Sequence, residues 1–249
     1  MWNGTALFWN LHRRRLEAAL EALALQLPCP WEAIEHQINT LAANLSEGRL
    51  KLILARCGGG AYTPPTRDAL LWLMGQPLSE MASYPLGPYQ RLILYPYRLL
   101  VETPWSRFKT LSALPYVQAA HYATEKGFTD ALLLSVDGYL AETTRANLFW
   151  FDGEMLHTPP LSSGAVEGVL RTQILSLLPL LGLRWQETGA TPEALAQAQE
   201  LFTTNVIQGI APVVQLTVGG QTYFYSESVV IPHLVAGLRQ VLTPYIRRR

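Results

Sequence analysis

Apolar residues recur at helical spacing in several stretches of the chain. Leucines stand every three or four positions between His12 and Leu27, and isoleucines and leucines do so between Trp31 and Leu45. This spacing places side chains on one face of a helix, so both stretches are predicted to be amphipathic helices. Further helices are predicted over Pro115–Lys126, Val169–Leu181, Pro192–Gln199 and Ile231–Pro244.

Short apolar runs bounded by turn residues predict strands between and after these helices. The early runs cover Leu50–Ala55, Asp68–Met74 and Gln90–Tyr97. From Ala131 the runs follow one another closely, with Asp-Gly turns at 137–138 and 152–153, which predicts an antiparallel meander. The remaining predicted strands are Ala131–Val136, Tyr139–Glu142, Asn147–Phe151, Glu154–His157, Leu201–Thr204, Val213–Val218 and Thr222–Tyr225.

The order of these elements predicts the fold class α/β, of the α+β kind, in two domains. Residues 1–101 form a small predicted domain of two helices followed by strands, and residues 102–249 form a larger one. The stretch Pro96–Pro104 is expected to connect them.

The composition is that of a compact globular protein: 49% of the 249 residues are hydrophobic, 15% are charged, and the formal net charge is zero. A neutral chain offers no electrostatic attraction to nucleic acid or to an anionic membrane surface. No apolar run reaches the roughly 20 residues of a membrane span. We therefore expect neither nucleic acid nor membrane as a partner. Two cysteines and no signal-peptide pattern favour a reduced, cytoplasmic protein.

Lysine is rare in this chain, which narrows the search for an amine nucleophile. The only lysines are Lys51, Lys109 and Lys126, and arginine cannot replace them because its guanidinium stays protonated. Lys109 lies among aromatic and apolar residues just before a predicted helix, where partial desolvation lowers the pKa of an amine. Taken alone, Lys109 also fits a surface lysine beside a loop.

Other candidate ligands stand at the ends of predicted elements. Glu142 ends a strand, and Arg15 lies near a helix start, where a guanidinium can bind phosphate bidentately. The amides that follow Gly168 begin a helix and can bind an anion, and polar residues 203–205 follow a strand. Each of these residues is also consistent with a solvent-exposed surface position that binds no ligand. The chain has no metal-ligand spacing, nucleotide-binding glycine loop or glycine-flanked serine, which argues against a metalloenzyme, a nucleotidase and a serine hydrolase.

Taken in order, these segments resemble the motifs of the class IV aminotransferase family, the fold-type IV enzymes that use pyridoxal 5′-phosphate (PLP). The segment from Lys109 to Pro115 resembles the lysine block of the family, and Asp137 to Phe149 resembles its DGxxxExxxxNhF block. Thr158 to Arg171 is similar to the phosphate-loop block. The last motif corresponds to Thr204 to Val213, and His12 to Leu16 resembles the early HxxRL element.

The resemblance implies a role for each segment. Lys109 would bind PLP as a Schiff base and act as general base and acid, and Glu142 would face the pyridine nitrogen and keep it protonated. No metal is expected, and the family is usually homodimeric, with the cofactor between two α/β domains. The other residues implied are Arg15, Thr144, Asn147, Val169, Leu170, Asn205 and Val206 for the cofactor, and Arg98 and Arg107 for substrate carboxylates. A structural salt bridge is the alternative for both of these last arginines.

Within the family, the motifs are most similar to those of aminodeoxychorismate lyases, which split 4-amino-4-deoxychorismate into p-aminobenzoate and pyruvate for folate synthesis. The substrate would be a small amino compound. An aminotransferase for branched-chain or D-amino acids is the alternative. A non-catalytic relative is a third hypothesis, because the GDGxFET-like segment that usually precedes the hairpin turn at Asn3 is not found here. We therefore expect a shortened N-terminal segment, which reflects either a misplaced start codon or the loss of part of the site. Val206 also replaces a residue that is small or hydroxylated in many relatives.

Overall fold

The computed structural model describes residues 1–45, 47–78, 83–226 and 228–246. Its helices are α1 (Trp9–Ala22), α2 (Trp31–Leu45), α3 (Leu114–Glu125), α4 (Val169–Leu177) and α5 (Val230–Ile246), with short 3₁₀ helices over Leu161–Ser163 and Pro192–Gln197. Its strands are β1 (Gly48–Arg56), β2 (Ala69–Pro77), β3 (Gln90–Leu100), β4 (Asp130–Ser135), β5 (Leu140–Thr143), β6 (Asn147–Phe151), β7 (Leu156–Thr158), β8 (Trp185–Glu187), β9 (Glu200–Asn205), β10 (Gly209–Val218) and β11 (Gln221–Phe224).

The chain divides into two compact units at a different position from the predicted domain boundary. The first unit comprises Met1–Ser83 and the end of α5 from Val241 onwards, and the second comprises Tyr84–Gln240. The sequence placed the boundary between residues 101 and 102, whereas the structure places it before β3. The reason is that β3 pairs with β4 and β10, so this strand belongs to the sheet of the second unit.

In the first unit, β1 and β2 form an antiparallel pair, and α2 packs against it. Gly75 of β2 allows the close approach. A Cβ at this position would lie 2.3 Å from Cδ1 of Leu45 and 3.1 Å from Cγ of Leu41. Both leucines belong to the apolar face predicted for α2, so that face is the one that covers the strands.

Local backbone geometry in the first unit confirms the predicted hairpin turn at Asn3 and explains why α1 is shorter than predicted. Asn3 and Gly4 have positive φ angles of 45° and 70°, and their neighbours pair across them, as expected for a two-residue hairpin turn. α1 ends at Ala22 rather than at Leu27, because Ala24 adopts a left-handed φ of 49° that interrupts a right-handed helix.

In the second unit, six strands form a closed ring. β3 pairs in parallel with β4 and with β10, and β4, β5 and β6 follow as the predicted antiparallel meander. β9 closes the ring because it pairs antiparallel with both β6 and β10. β7 and β8 continue the sheet beyond β6, and β11 continues it beyond β10.

Both faces of this sheet are packed, as β4 illustrates. Successive residues of a strand point to opposite faces. Leu132 and Leu134 therefore lie in one buried cluster, together with residues of β3, β5, β6, β9 and β10. Ala131 and Leu133 lie in a second cluster, which α3 joins with Ala119. A strand buried on both faces has a continuous apolar run instead of an alternating pattern.

The ends of elements account for most differences from the prediction. β3 continues to Leu100, into the predicted connector, and α4 ends at Leu177 rather than Leu181. The helix predicted over Pro192–Gln199 is a 3₁₀ helix. β8 was not predicted because its three residues are all exposed and carry no hydrophobic pattern. None of the described helices combines the length and the hydropathy that crossing a membrane requires.

A buried carboxylate attaches α5 to the sheet. Glu200, at the start of β9, is only 1% exposed. Its carboxylate oxygens accept hydrogen bonds from the amides of Val229, Val230 and Ile231 at 3.2, 2.6 and 3.1 Å. These amides belong to the beginning of α5, where the helix dipole favours negative charge. The side chain therefore satisfies donors that a helix start otherwise leaves unpaired.

We expect Glu200→Gln to lower the free energy of unfolding by about 1–3 kcal/mol, because the amide loses the charge and places donors against donors. Urea unfolding followed by circular dichroism measures the change. Glu154→Gln is the control, since Glu154 is exposed on a hairpin turn. Equal stability of the two variants would contradict the assigned role of Glu200.

Candidate active site

The carboxylate of Glu142, in β5, is the centre of the site in the second unit. Glu142 is 3% exposed. The hydroxyl of Tyr116 donates to its Oε1 at 2.7 Å, and the side-chain amide of Asn147 donates to its Oε2 at 3.2 Å. Burial raises the pKa of Glu142 to about 7, although hydrogen bonds from Tyr116 and the Val166 amide oppose this shift. A proton can therefore bind or leave this carboxylate near neutral pH.

A tight turn brings Glu142 and Asn147 together. The two residues are directly paired between β5 and β6. The Thr143 amide donates to the Ala146 carbonyl at 2.8 Å, and the Thr143 hydroxyl contacts both backbone groups of Ala146 at 3.2 Å. This small hydrogen-bonded loop reverses the chain direction between β5 and β6 within the polar segment that follows Glu142.

Asn147 also connects the carboxylate to the loop before α4. Its side-chain amide donates to the Val166 carbonyl at 2.8 Å. Its Oδ1 lies so close to Gly168 that a Cβ there would be 1.9 Å away. Because φ of Gly168 is −69°, glycine is required here for space and not for backbone conformation. The Asn147 side chain is thus held by residues on both sides of the site.

The start of α4 has no side-chain cap, and anion binding by its amides stays a prediction. Gly168 is the N-cap residue and makes no side-chain capping hydrogen bond. The amides of Val169 and Leu170 follow in the first turn, where helices leave backbone donors without intrahelical partners. Arg171, one residue further, is buried and donates to the Pro159 carbonyl at 3.1 Å and to Glu187 at 2.7 Å. Its guanidinium therefore fixes α4 to neighbouring segments.

Asn205, the last residue of β9, uses its side chain within the turn that follows. The Asn205 Oδ1 accepts from the amides of Ile207 and Gln208 at 2.9 and 2.8 Å, and its Nδ2 donates to the Gln208 side chain. The Asn205 side chain therefore shapes the turn into β10. A role of Asn205 and Val206 in phosphate binding stays a prediction that rests on their backbone. The neighbouring Thr204 hydroxyl is buried without a hydrogen-bond partner.

Lys109 lies in the loop between β3 and α3 and belongs to the same site as Glu142. Its positive charge is close enough to lower the pKa of Glu142. The preceding Phe108 is buried, and its amide donates to the Trp105 carbonyl at 3.1 Å. Lys109 itself is exposed. The partial desolvation expected from its apolar neighbours is therefore not found in this chain.

Several other predicted site residues interact elsewhere. The Thr144 hydroxyl donates to Asp130, and the Arg107 guanidinium is bonded to Glu167 at 2.6 and 2.9 Å. Arg107 thus forms the structural salt bridge that was the alternative to substrate binding. The Arg98 guanidinium lies over Gly138, where a Cβ would be 2.9 Å from its Cζ.

Arg15 lies on α1 of the first unit, and its predicted phosphate contact stays a prediction. It acts on His12 of the same helix, whose pKa falls to about 4, mainly through burial and then through the charge of Arg15. This His12 is therefore neutral at physiological pH.

Sequence reasoning missed Tyr116 and Val166. Tyr116 was hidden within a predicted helix, although a tyrosine in the first turn after Lys109 was a usable signal. Val166 acts only through its backbone, which no side-chain pattern reveals. Burial, and then the charge of Glu142, raises the pKa of Tyr116 far above its usual value, so its hydroxyl stays a donor. Within the described residues, no cluster of histidine, cysteine, aspartate or glutamate could hold a metal.

Comparisons with known proteins show the family to which this chain belongs. The family model described as amino-transferase class IV matches residues 1–216. An aminodeoxychorismate lyase of Vibrio harveyi is 29% identical over 210 residues, which cover 82% of this chain and 76% of that protein. A branched-chain amino acid aminotransferase of Humulus lupulus is 28% identical over 241 residues, which cover 90% of this chain and 58% of that protein.

Solved structures give the same result. The crystal structure of a 4-amino-4-deoxychorismate lyase from Pseudomonas aeruginosa has a TM-score of 0.83 and 27% sequence identity, and covers 97% of this chain and 88% of that one. The predicted fold class, enzyme class and cofactor are confirmed: this chain belongs to the class IV aminotransferases, the family of fold-type IV enzymes that use PLP.

Proposed function

We propose that this protein is a 4-amino-4-deoxychorismate lyase that produces p-aminobenzoate and pyruvate. The observation that carries the proposal is the similarity to the Vibrio harveyi lyase, which extends over most of both proteins. The Pseudomonas aeruginosa lyase supports it through its fold and its 27% identity. The motif pattern around Lys109 and after β9 favours the same activity.

The described residues fit PLP. Glu142 offers a buried carboxylate, with a pKa near 7, to a ring nitrogen that has to hold a proton. The uncapped amides at the start of α4, reached past Gly168, suit a phosphate. Lys109 supplies the amine for the aldehyde carbon. When bound, PLP supplies a ring that accepts electrons from the reacting carbon.

Lys109 is assigned the proton transfers of the reaction. Its neutral amine accepts the proton from the ring carbon that carries the substrate's amino group. The carbon–oxygen bond to the three-carbon side chain then breaks, and the ring becomes aromatic. The departing enolate takes up this proton from Lys109 at its terminal carbon and becomes pyruvate.

Glu142 is assigned the role of a fixed carboxylate that exchanges a proton with the ring nitrogen. Hydrogen bonds from Tyr116 and Asn147 fix one oxygen each, so the carboxylate cannot rotate away from the site. Hydrogen bonds from Tyr116 and from the Val166 amide lower the cost of ionising this buried carboxylate. Glu142 can therefore hold a proton at the ring nitrogen during the reaction.

An aminotransferase for branched-chain or D-amino acids is the second candidate, and the 28% identity to the Humulus lupulus enzyme favours it. In that reaction Lys109 would move a proton between the substrate α-carbon and the cofactor. The catalytic residues would be the same in both reactions. The two activities are therefore distinguished by their products. A homodimer stays a prediction from the family resemblance, and a cytoplasmic location stays a prediction from the two cysteines and the lack of a signal-peptide pattern.

The deciding experiment supplies the purified protein with 4-amino-4-deoxychorismate and follows pyruvate with a coupled lactate dehydrogenase assay. In parallel, leucine and D-alanine are each offered with 2-oxoglutarate, and glutamate is measured. Lyase activity predicts pyruvate release with no transfer to 2-oxoglutarate. Glutamate from either amino acid, with no pyruvate from 4-amino-4-deoxychorismate, would establish the aminotransferase. Neither product would favour a non-catalytic relative.

We expect the wild-type protein to gain an absorbance band at roughly 410–420 nm when PLP is added, the usual range for a lysine-bound cofactor. Lys109→Ala is expected to lose this band and to lower kcat by at least about a thousandfold, because the proton-transferring amine is gone. Lys126→Ala is the matched control, since Lys126 is exposed at the end of α3. Retention of the band in Lys109→Ala would refute the assignment of this lysine.

The raised pKa of Glu142 predicts a pH dependence of stability. The folded, ligand-free protein holds this proton up to about pH 7, whereas an ordinary glutamate loses it near 4.5. The free energy of unfolding is therefore expected to fall, by on the order of 3 kcal/mol, as the pH rises between these two values. Glu142→Gln lacks this contribution. Denaturant curves at several pH values measure it, and parallel profiles for both proteins would contradict the burial argument.

A further inference from the structure

The pair Arg107–Glu167 joins the two loops that carry the site. Arg107 stands two positions before Lys109, and Glu167 stands between Val166 and Gly168. The Arg107 Nε and Nη2 donate to the Glu167 Oε2 at 2.9 and 2.6 Å. In addition, the Glu167 amide donates to the Arg107 carbonyl at 2.8 Å. The connection thus has a side-chain part and a backbone part.

Each end of this connection adjoins a functional group. On one side, Val166 hydrogen-bonds to Glu142 through its amide and to Asn147 through its carbonyl. On the same side, Gly168 is the N-cap of α4. On the other side, only Phe108 separates Arg107 from Lys109. The pair therefore relates the amine of one loop to the carboxylate and the anion site held by the other.

The Lys109 loop lies outside the regular elements of the structure. Residues 101–113 form turns and irregular chain without a helix or strand. The described hydrogen bonds within it are short-range, such as the Ser106 amide to the Thr103 carbonyl at 3.2 Å. Phe108, next to Lys109, is buried and also holds this part of the loop. A loop of this kind moves more easily than a regular element unless long-range contacts restrain it.

The exposure of the pair argues that its role is placement more than stability. The side chains of Arg107 and Glu167 are 50% and 30% exposed, and exposed ion pairs contribute little to folding free energy. Two hydrogen bonds from one guanidinium nevertheless restrict direction as well as distance. Misplacement of a reacting group by about 1 Å costs up to a hundredfold in rate.

We propose that Arg107 and Glu167 are positioning residues. They hold the Lys109 loop in the position from which the amine of Lys109 reaches the aldehyde carbon of PLP. The inference rests on the part of the proposed function that assigns PLP to Lys109. In the step concerned, the amine nitrogen forms a double bond to the aldehyde carbon and one water leaves. The pair touches neither reacting atom and acts only through the loop.

The test measures covalent capture of PLP by the ligand-free protein, from the growth of the band at roughly 410–420 nm and from borohydride trapping. Arg107→Gln and Glu167→Gln each break the ion pair and leave the backbone hydrogen bond in place. Both variants are expected to lower the rate of covalent PLP capture by about tenfold. The double variant is expected to be no worse than either single one, because the second change removes a connection that is already lost.

Charge provides an internal control. Arg107→Gln removes a positive charge and Glu167→Gln removes a negative one, so a purely electrostatic effect would shift capture in opposite directions. Pyridoxine 5′-phosphate has no aldehyde and reports binding without the covalent step. Its affinity is expected to change less than about twofold in either variant, and the melting temperature of the ligand-free protein is expected to stay constant.

Opposite shifts, additive losses, or equal losses of pyridoxine 5′-phosphate binding would each overturn the proposal. So would unchanged capture in both single variants. If the wild-type protein captures no PLP at all, the inference falls together with the proposed function. If it captures PLP but releases no pyruvate from 4-amino-4-deoxychorismate, the lyase assignment fails and the positioning role is still supported by the variants.

Discussion

The site depends on keeping one carboxylate, Glu142, out of water. Ionising a buried carboxyl is unfavourable unless donors surround it, and the chain provides them from three separate segments: α3 with Tyr116, β6 with Asn147, and the loop before α4 with Val166. Burial still prevails, which leaves the pKa near neutrality. The positions of α3, of the β5–β6 turn and of the α4 start are thus all constrained by the same group.

That constraint explains the glycine at position 168 better than backbone conformation does. The Asn147 side chain serves Glu142 on one side and the Val166 carbonyl on the other, so it cannot yield space. A larger residue at 168 would push against it and would disturb the carboxylate and the anion site together. Recognition of a ring nitrogen and recognition of a phosphate are therefore coupled through one amide side chain.

The sequence predicted much of this molecule, and the failures have physical causes. β6 and α2 were predicted with the observed bounds, because a buried strand and an amphipathic helix carry strong patterns. The boundary at residue 101 was wrong because parallel pairing of β3 with β10 joins segments far apart in the chain, which no local pattern reveals. Lys109 and Glu142 were predicted as site residues because the motifs that contain them follow one another in the order found in the family. The partners of Thr144 and Arg107 depend on side-chain contacts that spacing alone does not define.

Closure of the strand ring has a consequence for how the protein is made. β9 and β10 come near the end of the chain, yet they pair with β6 and β3. During synthesis the earlier strands emerge long before their partners, and their edges stay unpaired until then. Such long-range pairing slows folding and exposes strand edges to association. A chain cut before β9 would carry Lys109 and Glu142 and still lack the closed ring that supports them.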